Sequence, residues 1–280
     1  MADFSHKKFE HINEITIAAD PIFDFCVEQH GIRLECRFNQ KVENDYLIVA
    51  PHGAIQRDEY SLPVFGRWNW DGIFKSNILT ICDPSLYLDD ELSVGWFAGT
   101  RYQNSPELII DTIKKISQLL NISPSRIIFW GSSAGGYASI LLSSLIDGAK
   151  FVCANGQTTI LAYGANHVEL YRKVFDINST AVDLAKYYPE RWSAIDALQV
   201  SYDKKRKTSG IILQNTIDKR HYEKHYKPFC EHFSLSPAGS SNDSLGLHSM
   251  LYTHEGGHGP EPAQVAKEII KNHLPKLLRD

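Results

Sequence analysis

Residues 126–142 read RIIFWGSSAGGYASILL, and this stretch decides the fold. An apolar run predicts a buried strand, a group of small residues predicts a sharp turn, and the apolar residues after it predict a helix. The turn carries the G-x-S-x-G pattern, with Ser133 at its centre. On such an elbow the serine stands at the tip of a strained turn with its hydroxyl exposed. We therefore predict that Ser133 is a nucleophile; the alternative is a small-residue turn that only closes a strand–helix junction.

The composition is that of an ordinary globular protein of 280 residues, 43% of them hydrophobic and 22% charged. A net charge of -4 gives no support for a nucleic-acid partner. The five cysteines form no C-x-x-C pair, which indicates reduced thiols. Residues 1–8 have no apolar signal region, and no stretch is apolar for long enough to cross a bilayer. We expect a cytoplasmic protein without a transmembrane segment, and the oligomeric state stays open.

Strands and helices alternate along most of the chain. Unbroken apolar runs, typical of strands buried on both faces of a parallel sheet, lie at 46–50, 78–82, 149–154 and 210–214. Shorter strands are predicted at 14–19, 23–28, 32–38 and 250–253. Apolar residues at helical spacing predict helices over 106–120 and 263–278. The alternation predicts an α/β fold with a mostly parallel sheet and helices on both faces.

Residues 157–208 differ from the rest of the chain. They are polar, helical in pattern and rich in aromatic residues. We interpret this segment as a small helical cap inserted over the sheet, within a single domain that covers residues 1–280.

A serine needs a general base and an orienting acid to act as a nucleophile. In sheets of this type the acid follows a late strand. Asp218 lies just beyond the predicted strand at 210–214 and is the candidate acid. An Asx turn or a helix cap is its alternative role. Asp83 and Asp196 are less well placed.

The candidate base follows the last strand. Two histidines lie there, His254 and His258. We favour His258, because glycines on both sides allow its loop to reach across to the serine. His254 still belongs to the end of the strand, where a structural role is more typical.

Acyl transfer also needs hydrogen-bond donors for the oxyanion that develops on the carbonyl oxygen. The N–H of Ala134, the residue after the serine, is one candidate. The second is expected in the loop after an early buried strand, where the chain reads Pro51-His52-Gly53-Ala54. The N–H of Ala54 is our first choice and that of Gly53 the second; an ordinary β-turn glycine is the alternative.

The same loop supplies candidate substrate contacts. His52 belongs to the H-G-x turn, and Trp68 and Trp70 follow among polar residues. Their rings would suit a sugar, whereas packing of the tryptophans in the core is the alternative. His221 and His225 have the spacing of metal ligands on a helix, but without the H-E-x-x-H pattern. We interpret them as part of a solvated helix face and predict no metal site.

These motifs, in this order, resemble those of the α/β-hydrolase superfamily over nearly the whole chain. More narrowly, the stretches 131–136, 218–221 and 256–258 are similar to capsule O-acetyltransferases of bacterial polysaccharide clusters. The resemblance implies Ser133 as nucleophile, Asp218 as acid and His258 as base. The narrower similarity also implies a cytoplasmic enzyme that acetylates hydroxyl groups of surface glycans from acetyl-CoA.

Three hypotheses about function follow. The first is a carboxylic-ester hydrolase of O-acyl esters, including acetyl esters of glycans, that works through a Ser133 acyl-enzyme without a cofactor. The second is an O-acetyltransferase with acetyl-CoA as co-substrate. The third is a non-catalytic binding protein of the same fold.

Overall fold

A ten-stranded sheet runs through the protein. The computed structural model describes residues 5–18, 20–41 and 46–278. The predicted absence of a signal region therefore rests partly on residues 1–4, which lie outside the described residues. In chain order the strands are β1 (Ser5–Phe9), β2 (Ile22–Gln29), β3 (Ile32–Asn39), β4 (Leu47–Pro51), β5 (Asn77–Ile81), β6 (Ile127–Ser132), β7 (Lys150–Ala154), β8 (Ser209–Asn215), β9 (Ser240–Asn242) and β10 (Leu247–Tyr252).

The strands lie in the order β1-β2-β3-β5-β4-β6-β7-β8-β10-β9. Strand β3 is antiparallel to both of its neighbours and β9 is antiparallel to β10, whereas all other neighbours are parallel. The mostly parallel sheet is as predicted. Because β4, β6, β7, β8 and β10 run in the same direction, the loops that follow them meet at one edge of the sheet.

The central strands are buried on both faces. In β6, Ile127 and Phe129 belong to one apolar core, and Ile128 and Trp130 belong to the core on the other face. Successive side chains of a strand point to opposite faces, so a strand covered on both sides must be apolar at every position. This explains the unbroken apolar runs in the sequence.

Helices cover both faces of the sheet. In chain order they are α1 (Asp71–Phe74), α2 (Ser105–Leu119), α3 (Ala134–Ser143), α4 (Ala165–Phe175), α5 (Ala181–Tyr187), α6 (Pro189–Trp192), α7 (Ala194–Asp203), α8 (Lys219–His221), α9 (Lys227–His232), α10 (Ala263–Asn272) and α11 (Leu274–Leu277). A π-helical turn over Tyr222–Tyr226 joins α8 to α9. Helices α2 and α3 pack on one face, and α1, α10 and α11 pack on the other. In the described part of the chain, no helix has both the length and the apolarity that a bilayer span requires.

The N-terminal region differs from the prediction. The chain makes a 3-10 turn over Ile12–Glu14, and no strand covers the described residues of the predicted strand at 14–19. Ile15 and Ala18 are buried against the core instead, so their apolar character reflects packing and not strand pairing.

The C-terminal helix is interrupted. Helix α10 ends at Asn272 and α11 begins at Leu274, whereas the sequence predicts one helix over 263–278. Pro275 lacks an N–H, and its ring clashes with the carbonyl four residues earlier in a continuous helix. The proline therefore accounts for the break at His273.

The segment between β7 and β8 carries helices α4–α7, where the sequence predicts a cap. Rings of Tyr171, Phe175 and Trp192 pack together with centroids 5.5–5.8 Å apart. Trp96 continues this aromatic cluster, 5.3 Å from Tyr171, and all four rings are buried. The division into one domain with a cap stays a prediction.

Candidate active site

Ser133 forms the tip of the turn between β6 and α3. Its backbone has φ 55° and ψ -123°, a conformation that favours glycine. The neighbouring glycines allow the tight packing around it. A Cβ at Gly131 would lie 2.1 Å from the carbonyl oxygen of Gly135, and a Cβ at Gly135 would lie 2.4 Å from that of Pro51. Strand, turn and helix are therefore pressed together, and this packing holds the serine in its strained conformation.

Three side chains are connected by hydrogen bonds. The Oγ of Ser133 lies 3.0 Å from Nε2 of His258, and Nδ1 of His258 lies 2.7 Å from Oδ2 of Asp218. The carboxylate accepts a hydrogen bond from Nδ1–H, and in this tautomer of the neutral ring Nε2 faces the hydroxyl as an acceptor. The arrangement can therefore take a proton from Ser133.

Asp218 lies in the loop after β8 and begins helix α8. Its carboxylate accepts a hydrogen bond from the N–H of His221 at 3.2 Å, which is a helix N-cap. The capping role and the contact with His258 are thus present together, although the sequence reasoning treated them as alternatives. The cap bond holds Oδ1 of the carboxylate, while Oδ2 faces Nδ1 of His258.

Two buried asparagines hold the loop that carries His258. The side-chain amide of Asn215 donates to the carbonyls of His254 and Gly257, at 2.7 and 2.8 Å. The amide of Asn155 donates to the carbonyl of Gly259 at 2.8 Å, and its oxygen accepts from the N–H of Asn215 at 2.6 Å. The glycine-rich loop is therefore tied on both sides of His258.

A buried ion pair anchors the end of the same loop. The carboxylate of Glu261 accepts from Arg67 at 2.7 Å and from the indole N–H of Trp130 at 2.6 Å. Because all three side chains are buried, loss of one partner would leave a charge or a donor unsatisfied.

His254 has a different environment from His258. Its side chain is exposed, and its Nδ1 accepts from the N–H of Gly256 at 3.2 Å. The structure thus brings His258 and not His254 to the nucleophile.

The backbone N–H groups predicted for the oxyanion lie around the serine. Ala134 is the first residue of α3, so its N–H has no acceptor within the helix. The loop after β4 passes beside the nucleophile: a Cβ placed on Gly53 would lie 3.6 Å from Cβ of Ser133. Among the described residues, the N–H groups of Gly53 and Ala54 have no hydrogen-bond acceptor. These groups are therefore available to an incoming carbonyl oxygen, and their role stays a prediction.

The side chain of His52, in the same loop, is buried. Its Nδ1 lies 2.6 Å from the carbonyl of Gly53, and its Nε2 accepts from the N–H of Asp83 at 3.0 Å. Burial lowers the pKa of His52, so the ring is neutral, as this bonding pattern requires. Both ring nitrogens are occupied by backbone groups. His52 therefore supports the Gly53 turn, and its expected role in substrate binding stays a prediction.

The two tryptophans are half-buried. The guanidinium of Arg37 lies over the ring of Trp68 at 5.0 Å, and that of Arg67 lies over Trp70 at the same distance. Trp70 also packs on Phe74 at 5.6 Å. Packing with arginine and aromatic neighbours accounts for these contacts, and a substrate role for either tryptophan stays a prediction.

Gln157 is a neighbour of the nucleophile that the sequence did not indicate. Its side-chain nitrogen donates to Oγ of Ser133 at 3.2 Å, and its oxygen accepts from the indole N–H of Trp96 at 2.5 Å. The indole therefore fixes which end of the amide faces the serine. Both side chains are fully buried.

His221 and His225 are buried, so their interpretation as a solvated helix face is wrong. The ring of His221 stacks on that of His258 with centroids 3.8 Å apart and an interplanar angle of 10°. Nδ1 of His225 accepts from the N–H of Thr158 at 3.2 Å. The two rings lie 5.2 Å apart on one face, as their spacing of four predicts, but that face is buried in the site and not open to solvent.

Several groups around Asp218 have shifted protonation equilibria. Burial opposes ionisation of Asp218, but hydrogen bonds and charges from His221 and His258 outweigh it, and the pKa of the carboxyl is lowered. Burial also lowers the pKa of His221 to about 4 and that of His225 to about 3. At neutral pH the carboxylate is therefore charged and both of these histidines are neutral.

Asp218, His221 and His258 each offer a ligand atom within 4.8 Å of the others. In the structure, Nδ1 of both histidines faces the carboxylate, at 2.7 and 3.0 Å. These atoms are joined as hydrogen-bond donors and acceptor, so metal binding would displace both bonds. The expectation that the protein uses no metal stays a prediction.

Sequence reasoning missed the groups that support the site: Gln157, His221, Asn155 and Asn215. A signal existed for the asparagines, since each directly follows the end of a predicted buried strand, where a polar side chain can reach neighbouring loops. No comparable signal marked Gln157, because its partner Trp96 comes from a distant part of the chain.

The chain matches no family model, and no curated protein matches it in sequence. Solved structures do match it. The capsule O-acetyltransferase of Neisseria meningitidis serogroup A is 18% identical, with a TM-score of 0.61 over 88% of this chain and 95% of that chain. A variant of that enzyme in complex with CoA has a TM-score of 0.64 at 16% identity, over 89% and 95% of the two chains.

Serine hydrolases match as well. The fluorophosphonate-binding serine hydrolase F of Staphylococcus aureus is 10% identical, with a TM-score of 0.56 over 93% of this chain and 100% of that chain. The acylaminoacyl peptidase of Pyrococcus horikoshii is 15% identical, with a TM-score of 0.57 over 92% and 41%. These matches confirm both resemblances at the level of the fold. The chain has the α/β-hydrolase fold.

Proposed function

We propose that this protein is a serine-dependent acyl-transfer enzyme that hydrolyses carboxylic O-acyl esters. One observation carries the proposal: Oγ of Ser133 lies 3.0 Å from Nε2 of His258, whose Nδ1 lies 2.7 Å from Asp218. A nucleophile in contact with a base, and a base oriented by an acid, is the arrangement that acyl transfer needs.

In the first half of the reaction, Ser133 attacks the ester carbonyl. Its proton passes to Nε2 of His258 as the Oγ–carbon bond forms, and the carbonyl oxygen becomes an oxyanion. The N–H groups of Ala134 and of Ala54 or Gly53 would stabilise that charge. When the intermediate collapses, the bond to the leaving oxygen breaks. His258 then gives the proton to the departing alcohol, and an acyl-enzyme remains.

In the second half, water attacks the acyl-enzyme. His258 takes a proton from the water and returns it to Oγ of Ser133 as the acyl–oxygen bond breaks, which releases the acid. The His258 side chain is 34% exposed, so water can reach the base. This accessibility supports hydrolysis, because a transferase must keep water away from its acyl-enzyme.

Steady-state release of p-nitrophenol from p-nitrophenyl acetate tests the proposal. We expect multiple turnovers without an added acceptor, and loss of turnover in Ser133→Ala. A folded protein that shows no turnover, or equal rates for the two forms, would contradict it. Acetylated glycans then test the substrate class by release of acetate.

A second candidate is an O-acetyltransferase that uses acetyl-CoA. The likeness to the Neisseria capsule O-acetyltransferase, which includes a structure in complex with CoA, supports it. This enzyme would hydrolyse acetyl-CoA slowly alone and release CoA faster when a glycan acceptor is present. The hydrolase is favoured if the protein hydrolyses p-nitrophenyl acetate faster than it releases CoA from acetyl-CoA, whichever acceptor is present.

A further inference from the structure

His221 makes two contacts with the catalytic groups proposed above. Its ring lies parallel to that of His258 at 3.8 Å, and its Nδ1 lies 3.0 Å from the carboxylate of Asp218. The carboxylate therefore accepts from two stacked imidazoles at once, and from the backbone N–H of His221 as well. Among the described residues, no other side chain has a hydrogen bond, ion pair or ring contact with both His258 and Asp218.

The bonding pattern fixes the tautomer of His221. An imidazole nitrogen beside an ionised carboxylate carries the proton, so Nδ1 is the donor and Nε2 has a free lone pair. Nε2 of His221 is buried and has no hydrogen-bond partner among the described residues. A buried polar atom without a partner is costly, which indicates that the ring is kept for another reason.

The groups that face His221 come from several elements. Asp218 precedes it, Arg220 is adjacent in α8, and the ring of His225 lies 5.2 Å away. His258 comes from the loop after β10, and Tyr163 from the cap segment lies 6.4 Å away. Burial, His258 and Arg220 lower the pKa of His221, and together they outweigh the carboxylate of Asp218, which raises it. His221 is therefore neutral when His258 is the base.

We propose that His221 is a positioning residue, which holds the His258 imidazole in plane and shares the charge of Asp218 so that His258 stays available as a base. The inference rests on the proposed function, since it gives His221 a role in the same proton transfer. The stacked ring limits rotation of the exposed His258 side chain. The Nδ1–H bond takes part of the carboxylate's charge, which otherwise would stabilise protonated His258 more strongly.

Two substitutions separate these contributions. His221→Phe keeps a stacking ring but removes the donor, whereas His221→Asn keeps an N–H near the position of Nδ1 but removes the ring. We expect His221→Phe to move the acid limb of the kcat/KM profile upward by about 0.5–1 pH unit, because Asp218 then acts on His258 alone. We expect His221→Asn to leave that limb in place and to lower kcat about 10- to 100-fold with little change in KM.

His225→Asn is the matched control, because it removes a buried histidine next to His221 that does not contact Asp218 or His258 through a hydrogen bond. We expect this variant to leave the acid limb of the pH profile in place and to keep kcat within about threefold of the wild type. An unchanged profile and kcat in both His221 variants would overturn the proposal. So would equal changes in the His225 control.

Imidazole nitrogen NMR of the wild type tests the inference without activity and without a variant. We expect His221 to show a protonated Nδ1 and a bare Nε2 throughout pH 5–8. A protonated Nε2, or titration of His221 in that range, would overturn the proposal. Because this measurement needs no turnover, it separates failure of the inference from failure of the proposed function.

Discussion

The Oγ of Ser133 lies 3.0 Å from Nε2 of His258, although 125 positions separate the two residues in the chain. The parallel sheet explains this proximity. Ser133 follows β6 and His258 follows β10, and both loops leave the sheet at the same edge. Asn155 and Asn215, which follow the two strands between them, tie the histidine loop in place.

Ser133 is buried at the tip of its turn, and its backbone is strained. At φ 55° and ψ -123°, glycine is free of the steric cost that any side chain incurs. We expect Ser133→Gly to have a free energy of unfolding about 1 kcal/mol or more above that of Ser133→Ala, measured by urea denaturation. Both variants lack the hydroxyl, so the comparison isolates the backbone. Equal stabilities would contradict the strained conformation.

His258 and His254 give a direct test of which histidine is the base. We expect His258→Ala to lower kcat about 10³-fold or more, because no other base among the described residues is hydrogen-bonded to the Ser133 hydroxyl. His254→Ala should stay within several-fold of the wild type, since its ring is exposed and bonded to its own loop. Steady-state ester hydrolysis measures both. The reverse order of effects would assign the base to His254.

Asn215 is expected to support activity from a distance. In Asn215→Asp a carboxylate would face the carbonyls of His254 and Gly257, which now accept from the amide. We expect the free energy of unfolding to fall by about 2–4 kcal/mol and kcat to fall more than KM changes. Asn69→Asp, at an exposed position, is the control for the added charge. Similar behaviour of the two variants would show that the loop does not depend on Asn215.

The buried histidines make stability depend on pH. His221 has a pKa of about 4 in the folded protein against about 6.5 when unfolded, so below pH 6.5 the unfolded chain binds more protons. The contribution of neutral His221 to the free energy of unfolding is fully present above pH 6.5. It is lost as the pH falls towards 4, and the loss is roughly 3 kcal/mol. His225 acts in the same direction, and the lowered pKa of Asp218 extends the loss to lower pH.

Urea denaturation at pH 7, 6 and 5 measures this dependence. We expect stability to depend less steeply on pH in His225→Asn than in the wild type, because one of the buried histidines that must protonate is gone. His232→Asn is the control, since that side chain is exposed. A wild-type stability that does not fall between pH 6.5 and 5 would contradict the buried, neutral histidines.

The sequence predicts those parts of the fold that depend on local pattern. The elbow at Ser133 has its signal in adjacent residues, and the strands around it are apolar because both of their faces are buried. Asp218 and His258 could be proposed as acid and base because each follows a strand that ends at the same edge of the sheet as β6. The structure brings all three together, and their catalytic roles stay predictions.

The supporting contacts lacked such a signal. The ring of His221 stacks on that of His258, which lies in a loop 37 positions later in the chain. A π-helical turn follows His221. Nothing in the sequence indicated that this helix face is buried, so the interpretation of His221 as solvated is wrong. The orientation of the Gln157 amide depends on a hydrogen bond from Trp96, a residue 61 positions earlier that lies in no strand or helix. These positions are set by tertiary packing, which no local pattern encodes.

Labelling with a fluorophosphonate tests the central claim, the nucleophilic Ser133, most directly. The reagent forms a covalent bond with an activated serine, and peptide mass spectrometry identifies the residue. We expect labelling of the wild type at Ser133, slower labelling of His258→Ala, and none of Ser133→Ala at that position. Equal labelling of wild type and Ser133→Ala, or a folded wild type that stays unlabelled, would contradict the account.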